Sequence, residues 1–359
     1  MLTGNKGEWS EIYALLKIVA DKKLYAGDEN LNKIENLVFP IIKILRDESD
    51  GTYCFSFDSN LVVINGVNEV FHIPINDFQD KATILLREIK NANASSFNIS
   101  DIEEFLNRFN CHSLKAKSTV KSDIRIVIHD FRTGAQPELG FSIKSQLGGA
   151  STLLNAGRST NFIYKIEDIE LSDEQINEIN SINTKSKIKD RIESIIRKKG
   201  KIKFVKTENT TFGNNLTLID SSLSIILSEI VYLFYTSHYS LLVELINQVS
   251  RLNPLHYDLS GSHPFYEYKI KRFLTEIALG MMPSKVWTGE LDATGGYLVV
   301  KESGEVLCYH IYNRNEFENY LINNTKLETA SSKRHEFGII YKDVNDYFIK
   351  LNLQIRFIK

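Results

Sequence analysis

Residues 122–149 constrain the fold of this chain more than any other stretch. Ile124, Ile126 and Ile128 alternate with Arg125, Val127 and His129, the two-residue period of a strand buried on at least one face. Gly134, Ala135, Gln136 and Pro137 supply a turn, residues 140–146 read as the returning strand, and Gly148-Gly149 ends it. A β-hairpin is expected. With its turn centred near Gln136, Asp130 would lie opposite Ser142 to Lys144, and strand alternation would put Ser142, Lys144 and Gln146 on one face.

The flanking sequence supplies helices and further strands. Trp9, Ile12, Tyr13, Leu15, Leu16 and Val19 recur at helical spacing, which predicts a helix over residues 8–23 with Glu8 and Glu11 on one face. After a break at Gly27-Asp28, a second helix is predicted over residues 30–47. Residues 53–57, 61–64 and 70–74 read as a small β-meander, followed by helices over 75–91 and 100–109, with a capping box at Ser100 to Glu103. Residues 151–156 suit a short helix and 161–166 a strand.

Helices are expected again at 171–180 and 186–199, and the region 214–278 is mainly helical. From about Pro283 strands return at 295–300, 306–312, 338–341 and 347–357, with a helix over 315–322 inserted. The pattern is that of an α/β protein, with a mixed central sheet flanked by helices and an additional C-terminal β-rich region. Three parts are expected: residues 1–170, a helical region over 171–282, and the β-rich tail 283–359.

Bulk composition narrows the function classes. The 359 residues are 43% hydrophobic and 25% charged, an ordinary globular balance, with a net charge of −2. Cys54, Cys111 and Cys308 are too few and too far apart for a zinc pair or a disulfide framework, which suits a reducing compartment. The N-terminus turns polar at once, and the apolar run 216–235 is interrupted by Asp220, serines and Glu229. A buried core helix and a cytoplasmic protein without a membrane span are expected. The one strongly basic segment is 185–206, which includes Lys198, Lys199 and Lys201 and suits contact with phosphates.

A carboxylate facing a lysine across a hairpin suits metal-assisted hydrolysis of a phosphodiester. Such chemistry needs a divalent cation and a positive group to stabilise developing charge. Magnesium keeps several waters and is satisfied by one or two carboxylates. Asp130 and Glu11, the latter projecting from the first helix, are the expected ligands, and Lys144 would hold or help deprotonate the attacking water.

These residues carry a resemblance. Asp130 followed by Ser142-Ile143-Lys144 resembles the PD-(D/E)XK nuclease motif, with Ser142 where the second acid usually sits. Residues 4–11 (GNKGEWSE), 140–149 (GFSIKSQLGG), 152–156 (TLLNA), 292–297 (DATGGY), 308–314 (CYHIYNR) and 328–335 (ETASSKRH) resemble the HpaII family of type II restriction endonucleases across nearly the whole chain. The resemblance implies a PD-(D/E)XK-like core and magnesium-dependent cleavage of double-stranded DNA at the palindrome CCGG. It also implies a cognate DNA methyltransferase as genetic partner. With Ser142 in the acid position, a replacement ligand is sought in the order Glu11, Gln146, Glu8, Glu138.

Reading C·G pairs in the major groove calls for Arg or Lys on guanine and for acceptors on cytosine. The loop Ser331, Ser332, Lys333, Arg334 and His335 has such donors, and Arg314 is a further candidate. A palindromic target favours a homodimer in which each subunit reads a half-site, with a monomer that nicks each strand in turn as the alternative. Two other classes compete with the nuclease. One is a hydrolase using Ser142 as nucleophile and Lys144 as base, which lacks a nucleophile elbow and leaves Asp130 without a task. The other is a sequence-specific DNA-binding protein with a degenerate nuclease site.

Overall fold

A computed structural model describes residues 1–115, 122–131 and 133–359. The chain opens with α1 (Lys6–Asp21), β1 (Lys23–Gly27), β2 (Lys33–Asp47), β3 (Thr52–Asp58), β4 (Leu61–Asn65), β5 (Val70–Pro74), α2 (Ile75–Asn91) and α3 (Ser100–Asn107). The hairpin follows as β6 (Ile124–Ile128) and β7 (Glu138–Ser145). Next come β8 (Thr152–Leu154), β9 (Asn161–Glu167), α4 (Asp173–Ser181), α5 (Lys187–Arg197) and β10 (Lys201–Thr207). Four helices succeed them: α6 (Thr210–Ile219), α7 (Leu223–Thr236), α8 (Leu242–Leu252) and α9 (Phe265–Leu279). The chain closes with β11 (Gly296–Val300), β12 (Val306–His310), α10 (Arg314–Asn323), β13 (Thr325–Leu327), α11 (Ser332–His335), β14 (Ile340–Asp343), β15 (Asp346–Asn352) and β16 (Ile355–Phe357).

Among the described residues, nine strands form a mixed sheet in the order β1-β12-β11-β7-β6-β2-β3-β4-β5. β1 also pairs with β2, so six of these strands close a ring and β3 to β5 extend from it. Smaller sheets, β10-β9-β15-β14 and β13-β16-β8, lie in the other half of the molecule. Helix α1 packs against β7, β11, β12 and β1 with α2 on its other side, which is why Trp9, Ile12, Leu15, Leu16 and Val19 are all fully buried.

The two hydrophobic cores interleave along the chain. One gathers α1 to α3 with β1 to β7, and the other gathers α4 to α10 with β8, β9 and the C-terminal strands. Strands β11 and β12 serve both. Leu298, Val300, Val306 and Cys308 enter the first core, while Tyr297, Val299, Leu307 and Tyr309 enter the second. The C-terminal β-rich region is thus divided among all three sheets.

Three local expectations fail for identifiable reasons. Residues 30–47 are not a helix: β2 fills most of that span, as Pro40 and the run of Val, Phe and Ile residues around it favour extended backbone. Pro40 sits beside an irregularity in the β2–β6 register, and its carbonyl accepts the His129 N–H at 2.9 Å. Residues 152–154 are strand β8, not a helix, because β16 offers them an edge. The box at Ser100 does not form, since the Glu103 carboxylate binds the N-terminal amine at 3.0 Å and the Leu2 N–H at 2.9 Å. The apolar run 216–235 is divided between α6 and α7, and among the described residues no single helix is long and apolar enough to cross a membrane.

Gly295 and Gly296 make the entry to β11 possible. A Cβ on Gly295 would lie 2.7 Å from the Phe141 ring, and one on Gly296, at φ +103°, would lie 2.1 Å from the Tyr309 carbonyl oxygen. Gly296→Ala combines a disfavoured backbone conformation with overpacking. It is expected to destabilise the protein by roughly 3 kcal/mol in chemical denaturation, and a loss below about 1 kcal/mol would show that β11 can shift away from β12.

Candidate active site

The hairpin register decides which carboxylate meets Lys144. Ile124 pairs with Phe141 and Val127 with Glu138, so the connection spans all of the polar residues between the strands. Asp130 consequently lies opposite Ala135, to which its N–H donates at 3.0 Å, and its carboxylate accepts from the Thr133 hydroxyl at 2.9 Å. The expected meeting of Asp130 with Ser142 and Lys144 does not occur. Asp130 sits at the turn end of the hairpin.

Asp123 occupies the position expected of Asp130. It stands just before β6, and its N–H donates to the Phe141 carbonyl at 2.8 Å. There β6 ends and β7 continues, so the Ile143 N–H lacks a strand partner on that side. The Asp123 carboxylate takes its place: Oδ2 accepts the Ile143 N–H at 2.7 Å and the Ser142 hydroxyl at 3.1 Å. Both contacts use one oxygen. A signal was present in the sequence, because no apolar alternation survives between His129 and Pro137. A turn filling that whole gap pairs Ser142 with Asp123.

Glu11 reaches the same place from α1. Asn5 caps this helix by accepting from the Gly7 and Glu8 N–H groups at 2.8 and 3.1 Å, while Glu8 accepts back from the Asn5 N–H at 2.8 Å. A 2.8 Å hydrogen bond between the Ser10 and Ser145 hydroxyls fastens the helix to β7, and Gly148 lets its first turn approach. The resulting cleft, about 300 Å3, is lined by Glu8, Glu11, Lys115, Ile143, Lys144 and the Gly148–Gly149 turn, among others.

Electrostatics separates the carboxylates by role. Burial raises the Glu11 pKa to about 7, and the negative charge of Asp123 adds to the rise. The Asn5 N–H and then Lys115 hold the Glu8 pKa below its ordinary value, the Lys115 ammonium lying 3.1 Å from its carboxylate. Glu8 is therefore engaged as a cap and ion-pair partner. Burial pushes the Lys144 pKa down, against the opposing pull of Asp123 and Glu11. Lys115 was not singled out by the sequence.

The remaining candidates are dispersed. Gln146 turns its side-chain oxygen to the Glu302 N–H at 3.3 Å and lines a separate, small cavity. Glu138 is paired with Arg125 at 2.6 Å. Arg314 is paired with the buried Glu318 at 2.6 Å across one turn of α10.

Two stretches distant in sequence do meet. Lys185, Lys187 and Lys189 face Thr329, Ser331, Ser332 and Lys333 across a cleft of about 390 Å3 with Tyr235 beside it. Arg334 is exposed on α11, and the His335 carbonyl is held by the Asn161 side chain at 2.9 Å. Lys198, Lys199 and Lys201 lie beyond the opposite end of α5, about 16 Å along that helix, with Lys201 paired to Asp168 at 2.7 Å.

Glu11, Asp123 and the half-buried Lys144 thus gather at the open edge of β7. The chain belongs to the HpaII restriction endonuclease family, whose model matches residues 5–357. It is a type II restriction endonuclease by that membership, and it is 53% identical over 359 residues to the Type II restriction enzyme HpaII of Haemophilus parainfluenzae, covering 99% of each chain. No solved structure matches it.

The raised pKa of Glu11 has a consequence for stability. A carboxyl titrating at about 7 when folded and 4.5 when unfolded contributes stability fully below the lower value. That contribution is lost as pH rises through this window, by up to about 3 kcal/mol. In metal-free protein, Glu11→Gln is therefore expected to gain stability relative to the unmutated chain between these pH values. Denaturant melts at several pH values check this, and a difference that does not vary with pH would contradict it.

Proposed function

We propose that the cleft between α1 and β7 hydrolyses a phosphodiester of double-stranded DNA within CCGG, on a PD-(D/E)XK-like core, with Glu11, Asp123 and Lys144 as the working residues. The observation that carries this reading is the convergence of two neighbouring carboxylates and a half-buried, desolvated lysine beside the unpaired edge of β7. The family membership and the name of the relative supply the DNA substrate and the class of reaction.

The donor set fits a magnesium ion. Glu11 and the second oxygen of Asp123 are hard oxygen ligands, and such a pair suffices for a cation that retains several waters. Among the described residues no three His, Cys, Asp or Glu side chains gather into a fuller cage. When bound, the cation polarises a phosphoryl oxygen and lowers the pKa of water.

The chain's own residues do the rest. Asp123 is held rigid by the Ile143 N–H, and Glu11 is positioned by the capped helix. Lys144 directs its N–H groups at the attacking water or a phosphate oxygen, and Lys115 adds positive charge at the mouth of the cleft. Water adds to phosphorus as one ester P–O bond breaks, and the departing oxygen takes up a proton. Ser142 serves as a donor to Asp123, so a Ser–Lys hydrolase loses its nucleophile to this contact.

Sequence reading belongs to the cleft between α5 and the 329–335 loop, with Lys333, Arg334 and the Ser331 and Ser332 hydroxyls turned to base edges and Lys185, Lys187 and Lys189 to phosphates. Residues 1–149 with β11 and β12 form the cutting body, and a homodimer places one such body on each half-site. A cognate methyltransferase would protect the same sequence in the host.

Digestion of plasmid DNA with magnesium, followed by sequencing of the ends, tests the reading. Breaks within CCGG are expected, and ends without that context would refute the specificity. Asp123→Asn is expected to slow cleavage by roughly 10²–10³-fold while retaining specific binding in a gel shift, whereas Asp130→Asn stays within a few-fold of the unmutated chain. The reverse ranking would return the metal site to the hairpin turn. For the reading cleft, Lys187→Ala is expected to weaken binding to all sequences alike and to reduce the salt slope by about 1. An unchanged slope would place the phosphates elsewhere.

A further inference from the structure

The 292–297 stretch (DATGGY) has no part in the chemistry above, yet it is fitted closely against β7. Gly295 donates its N–H to the Gly140 carbonyl at 2.7 Å, and the Gly140 N–H donates to the Thr294 hydroxyl at 3.2 Å. With no Cβ on Gly295, the backbone passes directly over the Phe141 ring. β11 then runs parallel to β7 with Tyr297 opposite Ser142 and Val299 opposite Lys144.

This register brings the Tyr297 ring to Lys144, whose Nζ lies 4.9 Å from the ring centroid. The ring is 2% exposed, and Phe317 and Phe357 pack edge-on against it at 5.5 and 6.2 Å. Ser142, two residues before the lysine, is no counterion, because its hydroxyl donates to Asp123.

We propose that Tyr297 is a positioning residue for cleavage, its ring face seating the Lys144 ammonium where a carboxylate two residues before the lysine is absent. The negative face of an aromatic ring attracts an ammonium, and more so where both are withdrawn from water. The ring accepts no proton transfer, and it draws one N–H of the ammonium while leaving the others free for the cleft. Lys144 is thereby held in one orientation with its other donors turned toward the cleft. The inference rests on the assignment of Lys144 to the reaction.

Fluorination tests the seat with almost no change in shape. In the full-length protein, position 297 is occupied in turn by phenylalanine, 3,5-difluorophenylalanine and 3,4,5-trifluorophenylalanine, and magnesium-dependent cleavage of a duplex carrying the cognate site is measured. Phenylalanine is expected to keep kcat within about 3-fold, and kcat is expected to fall stepwise by roughly 10-fold along the series. KM and the melting temperature should stay nearly constant. A purely structural role for the ring would leave kcat flat across these isosteres, and that result overturns the proposal. So does a phenylalanine variant as slow as the trifluorinated one, since the hydroxyl would then be the operative group. A Lys144→Ala arm separates the two levels. If Lys144→Ala cleaves normally, the assignment of Lys144 fails; if it is inactive while the series is flat, only the seat fails.

Discussion

The hydrogen bond from the Ile143 N–H to the Asp123 carboxylate is the contact on which the site depends. β6 stops one residue before its partner strand would need it, and a buried strand N–H left unmatched at that point costs about 1–3 kcal/mol. The carboxylate removes that cost and is itself fixed by doing so. Its position then follows from the main chain of β7 and not from a flexible side-chain rotamer. The arrangement ties a structural requirement, completing a strand edge, to the proposed functional one, holding an acid beside Lys144. Ser142 is part of the same device, since it adds a second donor to the oxygen that faces the strand.

The charge balance of the cleft is deliberately incomplete. Burial and the charge of Asp123 disfavour the ionised form of Glu11, Lys144 is desolvated, and Lys115 leans toward Glu8 at the rim. Beneath lies a closed network in which the buried Arg46 pairs with Glu48 at 2.7 Å and donates to the Ser113 carbonyl at 2.6 Å. Arg46 draws the Glu11 pKa slightly back down, though burial outweighs it. A carboxylate such as Glu11, whose charged form is disfavoured by burial, is a poor contributor to stability once it ionises.

Much of the fold was legible. The meander of β3 to β5, the hairpin strands, the first helix and the helical region 210–279 all follow from period and turn residues. The failures share a cause: β2 and β8 are strands because an edge awaits them far away in sequence, which local pattern does not report. Of the residues proposed for the site, Lys144 and Glu11 are legible from residue type and helix position, whereas Asp123 is not, because a turn centred near Gln136 puts Asp130 in its place. An error of a few residues in a turn's centre moves the partner of every residue in the returning strand. Tyr297 was beyond reach, since its approach to Lys144 depends on a parallel pairing between strands some 150 residues apart.

That pairing also bears on how cutting and reading are joined. After leaving the first core at β7, the chain builds the helical half, returns to lay β11 and β12 into the first sheet, and leaves again for α10 and the 329–335 loop. Alternate residues of β11 and β12 fill opposite cores, so the strands beside the proposed catalytic edge are also a wall of the half carrying the basic cleft. A flexible linker between two separately folded bodies would let the cleavage point wander relative to the recognised bases. Two shared strands remove that freedom, because either half can rotate only by breaking the packing of Tyr297, Val299, Leu307 and Tyr309. Site-specific cleavage requires a fixed distance from recognised bases to cut bond, and with the two clefts acting as proposed, side-chain alternation in two five-residue strands would set it.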